Sequence, residues 1–436
     1  MTSSKKTPAS PHEGEIRIVA SQLRPGVHVR LPVSWLEHQF MLSSFVIADE
    51  DQARQVAALN LPDLFCNTAL CKVPPLPEPP AAAPPVIDAA KISEDARLAA
   101  LAQANMAAKL ERTKVMTELR NRLDLAQKKF VGASKAVGGA LKSFDQNPKE
   151  SVRQVSMVSA ESATSLLADP DSAIVLIAEK GQDDGPTAHA LSVMTLSLLL
   201  GKQARLPEAA LSTLGIGALL HDLGKRWINP SILRNTERNR HEEAIYATHC
   251  RLGHESLQKL GAVSPPVLEA VLHHHEHFDG LGFPNRLKGD DIHIAARVVG
   301  IANRFDKLTN PIDSRRAFSP SEALSIMWTK EKSAFDPVLL QLFVRAMGVY
   351  PPGSIVLLSD GRVGAVVSSA PTDTPLSPQV LIYEPEIPRR QAIILNLATD
   401  TNLHIAKPLR LQERPSDELD YLLPRRKMNW FRSESS

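Results

Sequence analysis

The chain has 436 residues, enough for roughly two to four domains that each bury a core. Hydrophobic residues make up 43% and charged residues 22%, an ordinary globular balance, and a net charge of +2 gives no reason to expect a nucleic-acid polymer as partner. Three cysteines, Cys66, Cys71 and Cys250, form no C-x-x-C pair, which excludes a disulfide framework and suits free thiols in a reducing cytoplasm.

Residues 1–14 are polar, lack the apolar segment of a signal peptide and read as a disordered tail. Residues 15–72 read as a small α/β unit. Ile16-Arg17-Ile18-Val19 and Val27-His28-Val29-Arg30-Leu31 alternate like strands on either side of the turn Arg24-Pro25-Gly26, and residues 52–61 resemble a short helix. His28 and His38 lack partners in the sequence and are expected to be ordinary surface or half-buried residues. Residues 74–85 contain seven prolines, which no helix or central strand accommodates, so residues 73–90 are expected to be an extended linker and a domain boundary.

Residues 91–150 form a linker helix region, strongly helical from Ser93, a plausible N-cap, to about Phe130. Met116, Leu119, Leu123, Ala126 and Phe130 give it one apolar face. That face either packs on the next domain or serves dimerisation or signal transmission; about two heptads is short for a coiled coil. Residues 151–348 are helix after helix and predict an all-α domain. Pro207 stands at the start of one helix, and Asp336-Pro337 opens another. The apolar run Ala190 to Leu200 is too short to span a bilayer. After Pro351-Pro352-Gly353 the pattern changes to short β runs, at 355–358, 363–367, 380–383 and 393–397, predicting a β-rich subdomain over residues 349–412. Residues 413–436 read as a tail, basic and aromatic over 425–431, disordered unless it meets a membrane or a partner. The expected architecture is therefore multidomain: a central all-α domain, a small α/β domain before it and a small β-rich extension behind it.

Ten of the 14 histidines fall between His189 and His293, an unusual concentration for an ordinary core. His221-Asp222 ends an apolar helix and is followed by Gly224-Lys225. His189 lies upstream, and His249 and His273-His274-His275-Glu276-His277 lie downstream. Imidazole and carboxylate ligands suit Fe, Mn, Ni or Zn. No cysteine accompanies these histidines in ligand-like spacing, which favours an open catalytic site over a closed structural zinc site. A carboxylate such as Asp222 can bridge two cations, and such a pair clamps the attacking and leaving oxygens of a phosphoryl displacement. Lys225 projects on the side of Asp222 if the helix continues, and could then neutralise charge on phosphate oxygens; otherwise it is a solvated lysine at a helix end. His274 and His275 point about 100° apart on a helix, so both reach one cluster only over that edge or where the helix ends, as Asp279-Gly280-Leu281-Gly282-Phe283-Pro284 suggests. His241, His254, His293 and His404 have no spacing argument, and His273 and His277 are ambiguous.

These residues resemble the HD-GYP family, a branch of the HD metal-dependent phosphohydrolases. The resemblance runs from about Ser165 to Met347, through His189, His221-Asp222-Leu223-Gly224-Lys225, and Glu242-Glu243 with His249 and Gly253. It continues through His274-His275-Glu276, Asp279-Gly280, Gly282-Phe283-Pro284, Ala296-Arg297-Val298, Phe305-Asp306, Leu308-Thr309 and Ser319-Pro320-Ser321-Glu322. Residues 15–72 look like the small uncharacterised domain that often precedes it in bacteria. The resemblance implies hydrolysis of cyclic di-GMP, a bacterial second messenger, to linear pGpG or GMP. It implies two divalent transition metals, Fe or Mn first and then Ni or Zn, on His189, His221, Asp222, His249, His274, His275 and Asn303, with Asp222 bridging. Asp222 and Lys225 are then catalytic, and Lys225, Asp306, Arg315, Gly282 and Phe283 bind substrate. Diguanylate cyclase domains and a second copy of the chain are the implied protein partners.

Four positions depart from the family pattern. Phe283 replaces the tyrosine of Gly-Tyr-Pro, keeping the ring and losing the hydroxyl. Gly185 stands where members with a third metal carry glutamate, which implies two metals at most. Asn303 replaces an aspartate ligand, so one cation is held more weakly. Ile312-Asp313-Ser314-Arg315 stands for Arg-Pro-Tyr-Arg, weakening the phosphate grip. Two other functions stay open beside hydrolysis of cyclic di-GMP: a degenerate module that binds nucleotide or protein partners, and a phosphohydrolase of another nucleotide.

Overall fold

The computed structural model describes residues 11–12, 14–33, 38–40, 42–77, 89–165, 169–178, 185–313, 316–371, 373–400 and 402–423. They fall into two compact units. One comprises the chain to Glu118 with Glu384–Ala392; the other comprises Leu119–Tyr383 and the chain from Ile393. The first unit thus runs on past the proline-rich stretch instead of ending there. Of the expected tails, residues 1–10 and 424–436 lie outside the described residues, as do residues 78–88 of the expected linker.

In the first unit, β1 (Glu15–Ile18), β2 (His28–Arg30), β3 (Ser44–Val46) and β4 (Leu64–Asn67) form an antiparallel sheet in the order β1-β4-β2-β3. The sequence pattern misses β3 and β4, although they are as long as β2 and β1 respectively. Helix α1 is Glu50–Ala57, earlier than the expected 52–61, because the Asp49 side chain accepts the Gln52 N–H and caps it there. Val27, Val29, Ile47, Val56 and Cys66 fill the core. Helix α2 (Ala89–Lys142) is longer than the expected 93–130. Its Lys109 is buried and donates to the carbonyls of His38 and Phe40 at 3.1 and 2.5 Å, which ties this part of the helix to the small sheet domain.

In the second unit the helices are α3 (Pro148–Ser165), α4 (Pro170–Ala178), α5 (Gly185–Gln203), α6 (Glu208–Leu220), α7 (Pro230–Arg234), α8 (Arg240–Leu260), α9 (Pro265–His273), α10 (Ile294–Thr309), α11 (Pro320–Thr329) and α12 (Pro337–Met347). Helix α5 is apolar all round and buried from Ala190 to Gly201, as a helix at the centre of a bundle must be; it packs against α6 and α10. Asp336 caps α12 by accepting from Val338 and Leu339 N–H, with Pro337 at the first helical position. On α2, Leu119 and Leu123 are buried with Val175 of α4, so this part of the apolar stripe packs within the unit.

Five antiparallel strands follow: β5 (Ile355–Leu358), β6 (Val363–Ser368), β7 (Gln379–Ile382), β8 (Ile394–Asn396) and β9 (Ile405–Leu409), ordered β8-β7-β6-β5-β9. The sequence pattern misses β9 because Lys407-Pro408 breaks it. An edge strand tolerates proline, and β9 is at the edge. Asp171 of α4 accepts from Ser368 Oγ and from Ser369 N and Oγ, joining sheet to helices. The stretch read as a tail from 413 contains helix α13 (Ser416–Leu422), anchored by buried Leu422 and Leu423 and by Arg414 paired with buried Glu418. Among the described residues no helix is long and apolar enough to cross a membrane.

Candidate metal centre

Five segments of the second unit converge on Asp222. His189 comes from the first turn of α5, and His221 is the C-cap of α6. The helix does not continue to Lys225; a 3-10 turn, Leu223–Trp227, carries it, and its Nζ still reaches Asp222 Oδ2 at 2.6 Å. This turn fits because of Gly224, where a Cβ would lie 1.9 Å from the His249 carbonyl oxygen and 2.7 Å from Gly253 N. Helix α8 supplies His249. Helix α9 ends at His273, so His274 is its C-cap and turns inward.

Asp222 divides its oxygens between two histidine pairs. Oδ2 lies 3.3 Å from His221 Nε2 and 3.5 Å from His189 Nε2; Oδ1 lies 3.4 Å from His249 Nε2 and 3.7 Å from His274 Nε2. Within each pair the Nε2 atoms are close, 3.3 Å for His189 and His221 and 3.4 Å for His249 and His274. The other ring nitrogens are engaged. Nδ1 of His221, His249 and His274 each donates to the carbonyl three residues earlier, of Ala218, Tyr246 and Val271, at 2.7, 2.6 and 3.0 Å. His189 Nδ1 donates to Asp306 Oδ2 at 2.6 Å. With Nδ1 protonated, each neutral ring directs a lone pair from Nε2, and each close pair faces lone pair to lone pair. A cation between them removes that repulsion. Among the described residues, Asp222 Oδ1 and Asn303 Oδ1 are buried and accept no hydrogen bond, as expected of atoms that serve a cation. The donor set therefore fits two divalent metals sharing Asp222.

The electrostatics agree. Burial opposes ionisation of Asp222, but the Lys225 ammonium 2.6 Å away holds its carboxyl well below the usual range. Burial likewise opposes the charge on Lys225, which Asp222 holds up at about 12. Burial pushes His189 down to about 4, against the pull of Asp306, and His274 down to about 3. Neutral imidazole is the form that binds metal.

Two residues expected to bind substrate have other work. Asp306 is fully buried, with Oδ2 on His189 and Oδ1 accepting from Asn310 Nδ2, so it orients a histidine. Gly282 is buried because a Cβ there would lie 2.2 Å from His277 N; it lets the loop close on itself. Phe283 stacks on His275 at 4.6 Å between centroids and faces a cavity of about 2430 Å³ that also reaches Lys225, His274, Asn303 and Arg316. Arg315 lies outside the described residues.

His275 belongs to neither pair. Its ring is 4.4 Å from that of His274 and 5.4 Å from that of His249, but its Nε2 is 3.4 Å from Lys307 Nζ. Burial, with Lys225 nearby, pushes Lys307 down to about 7. Sequence reasoning passed over Lys307, although it follows Asn303 by four residues on one helix face, and over Tyr246, three residues before His249, whose ring lies 5.3 Å from Lys225 Nζ. The reading that no cysteine accompanies the histidines in ligand-like spacing also needs correction: Cys250 Sγ lies 3.6 Å from His249 Nε2, deep in the cluster. Gly185 opens α5 and adds no ligand. His273 sits between Glu269 and Asn285, His293 caps α10, and His28 bonds Ser44, all structural roles.

Residues 165–339 match the HD domain family, and residues 15–155 match a domain of unknown function. A cyclic di-GMP phosphodiesterase of Pseudomonas aeruginosa is 30% identical over 51% of this chain and 54% of its own length. A 3′3′-cGAMP-specific phosphodiesterase of Vibrio cholerae is 29% identical over 37% of this chain and 35% of its own. The chain thus spans about half the length, or less, of these relatives. An HDG"Y"P protein of Bdellovibrio bacteriovorus is 14% identical, with a TM-score of 0.45, over 76% of this chain and 98% of its own.

Proposed function

We propose that this HD-domain protein is a metal-dependent phosphodiesterase of cyclic dinucleotides, and that its substrate is cyclic di-GMP, opened to pGpG or GMP. The observation that carries this reading is one carboxylate, Asp222, set between two histidine pairs whose Nε2 lone pairs converge. The names of the relatives support the substrate class. We assign the chemistry to the helical region 151–348.

His189, His221 and Asp222 would hold one cation, and Asp222, His249 and His274 the other. His275 and Asn303 border them, and iron or manganese suits the donors. When bound, such a pair supplies an acidified water and charge neutralisation for phosphoryl displacement. The chain's own residues do the rest. Asp306 fixes the His189 ring and its tautomer through the 2.6 Å bond. Lys225 keeps a fixed positive charge beside Asp222, positioned to stabilise negative charge growing on the phosphate oxygens. Phe283, braced on His275, offers the cavity an aromatic face for a guanine base.

The test is purified full-length chain loaded with Mn or Fe and given cyclic di-GMP, with 3′3′-cGAMP and nucleoside phosphates as competitors. Linear dinucleotide is expected. No turnover by folded, metal-loaded protein overturns the assignment. A second reading, a module that binds nucleotide with little hydrolysis, is favoured by one observation: Asn303 brings a neutral amide to the cavity where a carboxylate would bring charge. It expects Asn303→Asp to raise both metal content and turnover; unchanged values for both sink it.

A further inference from the structure

We propose that Cys250 is a metal ligand, its thiolate joining His249 and His274 on one cation of the pair. The inference rests on the two-metal reading above and adds to it a sulfur donor, which makes one half of the centre mixed nitrogen and sulfur.

Neighbours on a helix point about 100° apart. Even so, the short Cys250 side chain and the outer nitrogen of His249 meet at 3.6 Å, and Cys250 Sγ and one ring nitrogen each of His249 and His274 lie within 4.8 Å of one another. Two of these separations, nitrogen to nitrogen and sulfur to the His249 nitrogen, are those of ligands on one tetrahedral ion. Metal–nitrogen bonds of about 2.0–2.1 Å and a metal–sulfur bond of about 2.3 Å at the tetrahedral angle set two nitrogens about 3.4 Å apart and nitrogen and sulfur about 3.6 Å apart. The chain has 3.4 Å and 3.6 Å.

A thiol that merely filled space or donated to His249 explains less. An S–H bond to His249 Nε2 satisfies one lone pair and leaves that of His274 facing it, since both Nδ1 atoms already donate to carbonyls. It also leaves the buried Asp222 Oδ1, 3.4 and 3.7 Å from these two nitrogens, without a donor. One cation bound by sulfur, the two nitrogens and Oδ1 satisfies all four. On binding, the Cys250 S–H bond breaks, its proton leaves to solvent, and the sulfur electron pair forms the bond to the metal. No redox change is involved. A thiolate donor biases this half toward zinc or iron and away from manganese.

The test loads cobalt(II) into full-length chain carrying Cys66→Ser and Cys71→Ser, so that Cys250 is the only thiol. A near-ultraviolet sulfur-to-cobalt charge-transfer band is expected beside the visible d–d bands. Should that variant fail to fold, the same spectrum of the unaltered chain is compared with that of Cys250→Ser, in which the band is expected to vanish while the d–d bands persist. Cobalt bound without the band, or a band that survives Cys250→Ser, overturns the sulfur ligand and leaves the two-metal reading standing. Folded chain that takes up no cobalt overturns both.

Discussion

Replacing Asp306 by asparagine keeps the shape of the side chain and removes its charge. In the structure its Oδ2 accepts from His189 Nδ1 at 2.6 Å, and the carboxylate is fully buried, so water does not take over the contact. The charge does two things: it holds the His189 tautomer with Nε2 free, and it offsets the burial that pushes this imidazole down to about 4. Losing such a carboxylate behind a metal-binding histidine costs about 10–100-fold in metal affinity, which is ~1.4–2.7 kcal/mol. The loss should fall on one metal of the two, because His249 and His274 take their orientation from backbone carbonyls instead. The assay is a metal titration against a competing chelator, with the melting temperature followed at each metal concentration. We expect one of two affinities to fall by that factor and the other to hold. If Asp306 touched substrate, as the sequence alone suggested, both affinities would hold and KM would rise. That outcome would falsify the orienting role.

Three further outcomes follow from particular contacts. Lys225→Met removes the ammonium beside Asp222 and should lower kcat by about 10²–10³-fold with metal content unchanged, read by turnover and metal analysis; a change in KM alone would contradict the role given to it. Gly224→Ala drives a methyl into the His249 carbonyl and should cost at least about 1–3 kcal/mol by urea denaturation; full stability would mean that the turn and α8 separate easily. In the first unit, hydrogen bonds from Arg30 hold the Glu15 carboxyl down at about 2. A lowered folded-state pKa contributes stability above the ordinary value of 4.5 that is lost as pH falls towards 2. The melting temperatures of the unaltered chain and Glu15→Gln should therefore differ near pH 7 and draw together as pH falls from 4.5 towards 2; a constant gap refutes the pairing.

Much of the helical region was legible because its signals are local. Asp336-Pro337 announces a helix start through contacts within three residues, and the structure shows the cap. The two sheets were less legible. Strands β3 and β4 went unread although they are as long as β2 and β1 respectively, and β9 carries Pro408, which only a place at the sheet edge makes acceptable. Helix α13 hid in a polar stretch whose few apolar residues gain meaning only by burial.

The same division runs through the candidate site. The sequence by itself determined the donors: four widely spaced histidines and an aspartate next to one of them have the chemistry of a metal centre wherever they stand, since imidazole and carboxylate carry their ligand properties in the side chain. Tertiary structure decided how each donor is used. Asp306 lies 117 residues from His189, and only the packing of α5 against α10 makes it a partner of that ring and not of a ligand. Only the packing of α8 against α9 brings His274 to His249 and Cys250. Lys307 meets His275 in the same way, across helices. A residue's chemistry is local, but its partner is set by which helix faces meet, and no spacing in the chain encodes that.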